Sequence, residues 1–307
     1  MSLEKMLFDF YKVPFPAEEY IDNQNCCFIC GENGKKLTDE HLFPKWLLGG
    51  TNSYDTQLTL PNNTKTFFRN ITIPCCISCN NEVLSFIDNK VKNIFDKECV
   101  DVTNEEREII YHWMLKISSG LFLKGAGLKS NRRDPGSDSL TTKNHLARRE
   151  LLFSLTKAIK YKVTFTNFTP YSLILFEFDP GQIIDYPFAF MSNYNYPTFA
   201  FAYKKMALII AIGEDGEIRN CFPAASKIEF SKIDTPTFLR HFCSILTAHS
   251  LRNNTSGHVS ITSPLSTDLR LSKFTEFGKE DVDNFKPWDK EVFEKYFEFY
   301  KKFTGLA

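Results

Sequence analysis

Two C-x-x-C pairs constrain this chain more than any other feature. One is Cys27-Phe28-Ile29-Cys30, followed by Gly31; the other is Cys76-Ile77-Ser78-Cys79, followed by Asn80. Two thiols at that spacing converge across a tight turn, and two such pairs supply the soft ligands of a closed tetrahedral zinc shell. Unlinked redox or buried cysteines are the competing reading, and a doubled pair beside turn and capping residues favours Zn²⁺. Cys26 and Cys75 each precede a pair and could replace a neighbour. Only Cys27/Cys30 and Cys76/Cys79 keep the same gap in both. The cysteines number nine, six of them in these two clusters, which argues against a disulfide framework. Cys99, Cys221 and Cys243 stand alone and read as buried small apolar residues.

Charge is informative only in its distribution. The 37 basic and 37 acidic side chains cancel, so no global field advertises a polyanionic or membrane partner. Residues 1–100 carry net −3, residues 101–165 net +5 and residues 166–307 net −2. These steps predict a cysteine-bearing unit over 1–100, a basic helical segment over 101–165 and an α+β domain over 166–307. The surplus lies in 124–162, where Arg132, Arg133, Arg148 and Arg149 are the arginines. A solvated helix face and a phosphate-backbone track both fit such a run. No apolar stretch approaches the roughly 20 residues of a membrane helix. The N-terminal segment has acids within its apolar stretch and no small-residue cleavage site, so no secretory signal is expected and the chain is placed in the cytoplasm.

Apolar periodicity predicts helices over 80–95 and 145–160, the second basic with Leu151, Leu152, Leu155 and Ile159 inward. Thr103 and Glu106 form a capping box ahead of a stripe of Ile110, Trp113, Met114, Ile117 and Leu121. Thr235 with Pro236 opens another helix, and Asp289 caps a last one. Strands are expected over 162–166, 172–178 and 206–212. The run 199–213, then Asp215-Gly216 and 217–221, reads as a hairpin. Residues 130–142 read as a loop. The fold class is α+β.

Between the cysteine pairs stands Glu40-His41-Leu42-Phe43-Pro44-Lys45-Trp46-Leu47, and after the second comes Asn80-Asn81. Over about residues 25–125 the sequence resembles the HNH (His-Me finger) endonucleases. The likeness is to a zinc-bearing branch with Glu-His-x-x-Pro-x-Trp-Leu, Cys-x-x-Cys-Asn-Asn and a later Trp-x-x-Lys step, matched here by Trp113 and Lys116. The resemblance implies a zinc-stapled ββα-metal (treble-clef-like) nuclease unit. It also implies a metal-dependent endonuclease acting on nucleic acid, duplex DNA by analogy. A role as restriction or phage-defence effector, with the last domain sensing, dimerising or binding an accessory defence protein, follows from the same analogy.

Within that resemblance His41 is the general base, a role suited to imidazole near neutral pH. Glu40 takes the place of a ligand to a catalytic Mg²⁺ or Mn²⁺, with Asp39 as the competing carboxylate. For the second ligand helix phase chooses Asn80, which shares a face with Leu84, Ile87 and Val91, whereas Asn81 is turned about 100° away. Asn70 is the nearest match to the family's middle asparagine, one residue early. The segment 49–68 is a long insertion, and its Asn62 and Asn63 are weaker substitutes. Two other functional classes fit the motifs: a non-catalytic zinc module binding nucleic acid or protein, and a toxin-like RNase.

Overall fold

The computed structural model describes residues 25–33, 36–60, 62–147, 149–161, 163–179, 188–221, 223–252, 256–262, 269–275 and 285–304. Contacts gather the chain into two units. The first comprises Met1–Lys92, His112–Thr164 and Ser260–Arg270, the second Asn93–Tyr111, Phe165–Val259 and Leu271–Ala307. Charge changes at 100/101 and 165/166, whereas contacts divide the chain at 92/93, 111/112, 164/165, 259/260 and 270/271, so each unit is assembled from separated stretches.

In the first unit β1 (Leu37–His41) pairs antiparallel with β4 (Thr72–Cys76), placing Leu37 opposite Cys76 and His41 opposite Thr72. The intervening insertion folds into α1 (Lys45–Gly50) and a small hairpin of β2 (Gln57–Thr59) and β3 (Lys65–Phe67). After β4 the chain enters a π-helical turn (Cys79–Leu84) that continues as α2 (Ser85–Ile94). Leu84, Ile87, Val91 and Ile94 are buried, as their spacing predicts.

The capping box forms: Thr103 N–H donates to Glu106 Oε2 at 3.1 Å, and Glu106 N–H to Thr103 Oγ1 at 3.3 Å. It opens α3 (Asn104–Lys124), whose residues from Trp113 to Gly120 are all buried. At Gly120 a Cβ would lie 2.2 Å from Leu42 Cδ2, so glycine is what lets α3 approach the residue that follows His41. The single helix expected over 145–160 is broken. It consists of α4 (Lys143–Ala147), α5 (Glu150–Thr156) and a 3-10 turn (Lys157–Ile159), with the break at Arg149, whose φ of −126° and ψ of 20° leave the helical region. Leu152, Leu155 and Ile159 are nevertheless buried.

The second unit centres on a five-stranded sheet. After β5 (Val163–Thr166) come β6 (Tyr171–Phe178), β7 (Phe188–Asn193), β8 (Thr198–Tyr203) and β9 (Met206–Ile212). Next are α6 (Glu217–Cys221), α7 (Pro223–Ile228), β10 (Lys232–Ile233) and α8 (Thr235–Ser250). The sheet order is β10-β6-β9-β8-β7, antiparallel except for β10 beside β6. β11 (Ser256–Thr262) and β12 (Leu269–Thr275) join β5 in a three-stranded sheet, and α9 (Lys290–Thr304) follows. Small residues on the sheet (Ala200, Ala202, Ala207) share the core with Phe238 and Phe242 of α8, which is how a phenylalanine-rich chain packs without overfilling.

The hairpin expected at Asp215-Gly216 is a correction. The β8–β9 hairpin turns at Lys204-Lys205, where Lys204 takes φ 54°, and 217–221 is helical. Asp215 and Gly216 do have positive φ. The buried Glu214 carboxylate, however, accepts from Gly216 N–H at 3.1 Å and Ile218 N–H at 2.8 Å and so starts a helix there. At α8 the capping residue is Asp234, which accepts from Thr237 N–H at 2.9 Å, one position before Thr235. Asp289 caps α9 as expected.

His249 is buried in the second unit, with Nδ1 3.0 Å from Thr198 Oγ1. Burial, then the Arg252 charge, pushes its pKa down to about 3. The unfolded chain protonates near pH 6.5 while this folded histidine stays neutral. Its contribution is therefore whole above about pH 6.5 and is lost as pH falls towards 3, on the order of 1 kcal/mol per pH unit. Urea unfolding at pH 7 and pH 5 is expected to give a lower midpoint at pH 5, and His249→Gln is expected to shrink that difference. An unchanged difference in His249→Gln would remove this assignment.

Candidate metal centre

The first cysteine loop is shaped by its backbone. Gly31 N–H donates to Cys27 O at 2.8 Å, and Gly31 takes φ 71°, a conformation glycine adopts freely. Phe28 N–H donates to Pro74 O at 3.1 Å, which ties this loop to β4 just before the second pair. Cys76 ends β4 and Cys79 begins the π-helical turn, so a strand end and a helix start face a tight loop. The Sγ atoms of Cys27, Cys30, Cys76 and Cys79 all lie within 4.8 Å of one another, and all four residues are buried. Cys30 and Cys76 are 3.8 Å apart, close to the roughly 3.8 Å edge of a tetrahedron with Zn–S bonds of about 2.3 Å. Cys75 adds a fifth sulfur 3.7 Å from Cys27. The set whose atoms are all mutually close is the expected four.

Their protonation fits a cation site. Thiol hydrogen bonds from Cys30, Cys75 and Cys79 hold Cys27 far below the ordinary cysteine range. The bond to Cys27 pushes Cys30 up to about 12, and Cys79 is raised further by Cys27, Cys30 and Cys75. The Cys27 thiolate is easy to form, while Cys30, Cys75 and Cys79 hold their protons until a divalent cation displaces them. Four thiolates around Zn²⁺ leave net −2. Burial disfavours the charge on Lys160, yet Cys79 and Cys30 outweigh it and raise the lysine above its ordinary value. The end of the basic segment thus supplies charge to the sulfur cluster.

Along β1 the pleat separates neighbours. Glu40 is buried, and its carboxylate meets Lys116 Nζ at 2.5 Å. Lys116, fully buried on α3, also reaches both oxygens of Asp88 on α2, at 3.0 and 2.8 Å. Burial works against the charge of Lys116, and Asp88 with Glu40 more than restores it; burial raises Asp88. Asn80 is half-buried and donates through Nδ2 to Thr38 Oγ1 at 2.8 Å, so it points at β1 as helix phase predicts, while Asn81 is exposed. Thr38 and Glu40 alternate with Asp39 and His41. Asp39 is exposed and His41 half-buried.

His41 stays below its ordinary pKa through burial first, then the charges of Lys45 and Lys116, against an opposing pull from Asp39. Lys124 is also within reach of Asp39: burial lowers it, Asp39 raises it, and its Nζ donates to Thr72 O at 2.7 Å, opposite His41. The face thus carries Asp39 and His41, with Lys45 and Lys124 within electrostatic reach. Lys45 and Lys124 escaped the sequence reading. Lys45 lies four residues beyond His41 and gave a signal; Lys124 is brought in by a contact 52 residues away in sequence.

The other expected residues are dispersed. Asn70 is exposed at the end of the 3-10 turn (Phe68–Asn70) that leads to β4. Asn62 Nδ2 donates to Lys129 O at 2.9 Å, so it serves the 130–142 loop. That loop is internally bonded, with Ser130 N–H on Asp138 O at 2.8 Å, and carries Arg132 and Arg133 exposed. Arg149 is half-buried at the break before α5, and Arg148 lies outside the described residues. Searches against family models, curated proteins and solved structures return no match to this chain.

Purified protein is expected to hold about one zinc per chain through dialysis. Cys30→Ser and Cys79→Ser are each expected to lose most of it together with thermal stability, and Cys75→Ser to keep it. Metal analysis reads both, and full zinc content in Cys79→Ser would remove the four-cysteine centre.

Proposed function

We propose that the first unit is a metal-dependent HNH-type endonuclease: a zinc-stapled ββα, treble-clef-like unit that hydrolyses nucleic-acid phosphodiesters, with duplex DNA as its substrate. The observation that carries this reading is the face of β1 on which Asp39 and His41 sit two residues apart with Lys45 and Lys124 close by. His41, kept neutral near pH 7, takes the proton of the attacking water as the water oxygen bonds to phosphorus and the bond to the leaving oxygen breaks. Lys45 and Lys124 hold the phosphate oxygens. A bound Mg²⁺ or Mn²⁺ supplies charge to the scissile phosphate and the leaving oxygen.

The ligand carboxylate is where this reading departs from the resemblance. Glu40 does not fit a solvent-bound ion, because its charge is committed to Lys116. Asp39, exposed beside His41, does fit. Asn80 stands on the Glu40 side and positions β1 through Thr38. A second reading is favoured by one observation: a lysine bound to Glu40 and Asp88 suits a non-catalytic zinc module, since it places a fixed cation where the family resemblance implies a metal.

Incubation of zinc-loaded protein with plasmid, single-stranded DNA and RNA, with and without Mg²⁺ or Mn²⁺, separates these readings. His41→Ala is expected to cut metal-dependent cleavage by on the order of 100-fold while zinc and fold remain. Asp39→Asn is expected to raise the Mg²⁺ needed for half-maximal rate. Glu40→Gln should lower stability and leave that requirement unchanged. Full activity in His41→Ala would defeat the mechanism, and no cleavage of any substrate would favour the binding module.

Arg132 and Arg133 test the track. If both contact phosphates, Arg132→Ala with Arg133→Ala reduces the log–log salt slope of duplex binding by about 1.8. An unchanged slope would place the track elsewhere.

A further inference from the structure

The second unit contains a cleft that the nuclease reading does not use. Asn104, Glu108 and Tyr111 descend one stripe of α3; Phe165, Thr169, Pro170, Tyr171 and Leu173 come from β5, β6 and the link between them; Gly216, Arg219 and Asn220 come from the start of α6. Its volume is about 330 Å³, at the lower end of the range for small-molecule sites. The floor is aromatic: Tyr111 stacks on Tyr171, ring centroids 4.3 Å apart and planes 19° from parallel.

The walls are fixed. Thr169 N–H donates to Asp215 Oδ1 at 2.7 Å, and Arg219 N–H to Ser172 Oγ at 3.0 Å, which clamps the start of α6 to the start of β6. Glu229 then aims the Arg219 guanidinium: it takes one bond from Arg219 at 3.2 Å and one from buried Arg107 at 2.9 Å. Two arginines on one carboxylate leave a net positive charge on that side. A guanidinium has five donors, so Arg219 keeps others for a ligand.

On the α3 side the charge is opposite. Glu108 is exposed; burial first and then its charge raise Tyr171, against the pull of Arg107 and Arg219, while burial, then Tyr171 and Glu108, raise Tyr111. The Tyr171 phenol is thus near an anion and near two cations. The cleft offers one carboxylate, one arginine and an aromatic surface, flanked by the amides Asn104 and Asn220.

We propose that this cleft binds a small zwitterion of amino-acid size with an apolar or aromatic side group. Its carboxylate meets Arg219, its ammonium meets Glu108, and its side group lies on the Tyr111–Tyr171 and Phe165 surface. A plain anion leaves Glu108 facing it unpaired, and a plain cation does the same to Arg219. A zwitterion satisfies both ends, which is the basis of selection. The inference does not rest on the nuclease reading, because all the lining residues belong to the second unit.

Calorimetric titration of the full chain with L-phenylalanine and L-leucine tests it, with N-acetyl-L-phenylalanine and L-phenylalaninamide as single-charge arms. Both amino acids are expected to bind, and each single-charge analogue about 10-fold more weakly. Glu108→Gln is expected to weaken L-phenylalanine about 10-fold and leave the N-acetyl compound unchanged; Arg219→Gln should do the same for the free acid and leave the amide unchanged. Glu108 is exposed, so its variant keeps the fold; circular dichroism verifies Arg219→Gln. Absence of heat from both amino acids at about 10 mM, equal affinity for acid and amide, or wild-type affinity in both variants would overturn the proposal. Binding of acetate as tight as L-phenylalanine would also overturn it. DNA cleavage is read separately, so either result leaves the other standing.

Discussion

Four sulfur atoms within 4.8 Å of one another, all buried, are the constraint around which the first unit is arranged. Without a cation such a cluster is a liability, because every thiolate after the first repels those already formed. With Zn²⁺ it becomes a covalent-strength clamp joining the 27–30 loop, the end of β4 and the start of the helical segment leading into α2. β1 is tied to this cluster through its five-residue pairing with β4, and the register sets His41 opposite Thr72. Lys160, raised by Cys79 and Cys30, brings compensating charge from a distant part of the chain.

A second buried electrostatic feature decides which face of β1 is open. Lys116 joins Glu40 on β1 to Asp88 on α2, so strand, α2 and α3 share one ion cluster. Burying it confers little net stability by itself, whereas removing one member leaves unpaired charge and costs about 3–5 kcal/mol. Its consequence is orientation. With Glu40 fixed inward, the pleat turns Asp39 and His41 the other way, and the chemistry proposed for this unit rests on that alternation.

Local signals were legible where one stretch of chain supplies both partners. The Thr103–Glu106 box, the Asp289 cap and the inward phase of Asn80 each depend on residues within a few positions, and the cysteine pairs carry their own spacing rule. Signals failed where the partner is remote. Nothing near Glu40 announces its ion pair with Lys116, 76 residues further along the chain. Asp215-Gly216 has the positive φ values of a hairpin turn, but Glu214 uses the adjacent N–H groups to begin a helix, and the turn falls on Lys204-Lys205, which carries no glycine or asparagine. The helix over 145–160 kept its buried leucines yet broke at Arg149, since apolar period records the buried face and not backbone continuity. The strands β2, β3, β7, β10, β11 and β12 went unnoticed.

X-ray absorption at the zinc edge tests the sulfur centre most directly. Protein purified without chelators is expected to show zinc with about four sulfur neighbours at about 2.3 Å and no nearer nitrogen or oxygen. A chain free of zinc, or zinc bound mainly by nitrogen and oxygen at about 2.0–2.1 Å, would contradict it.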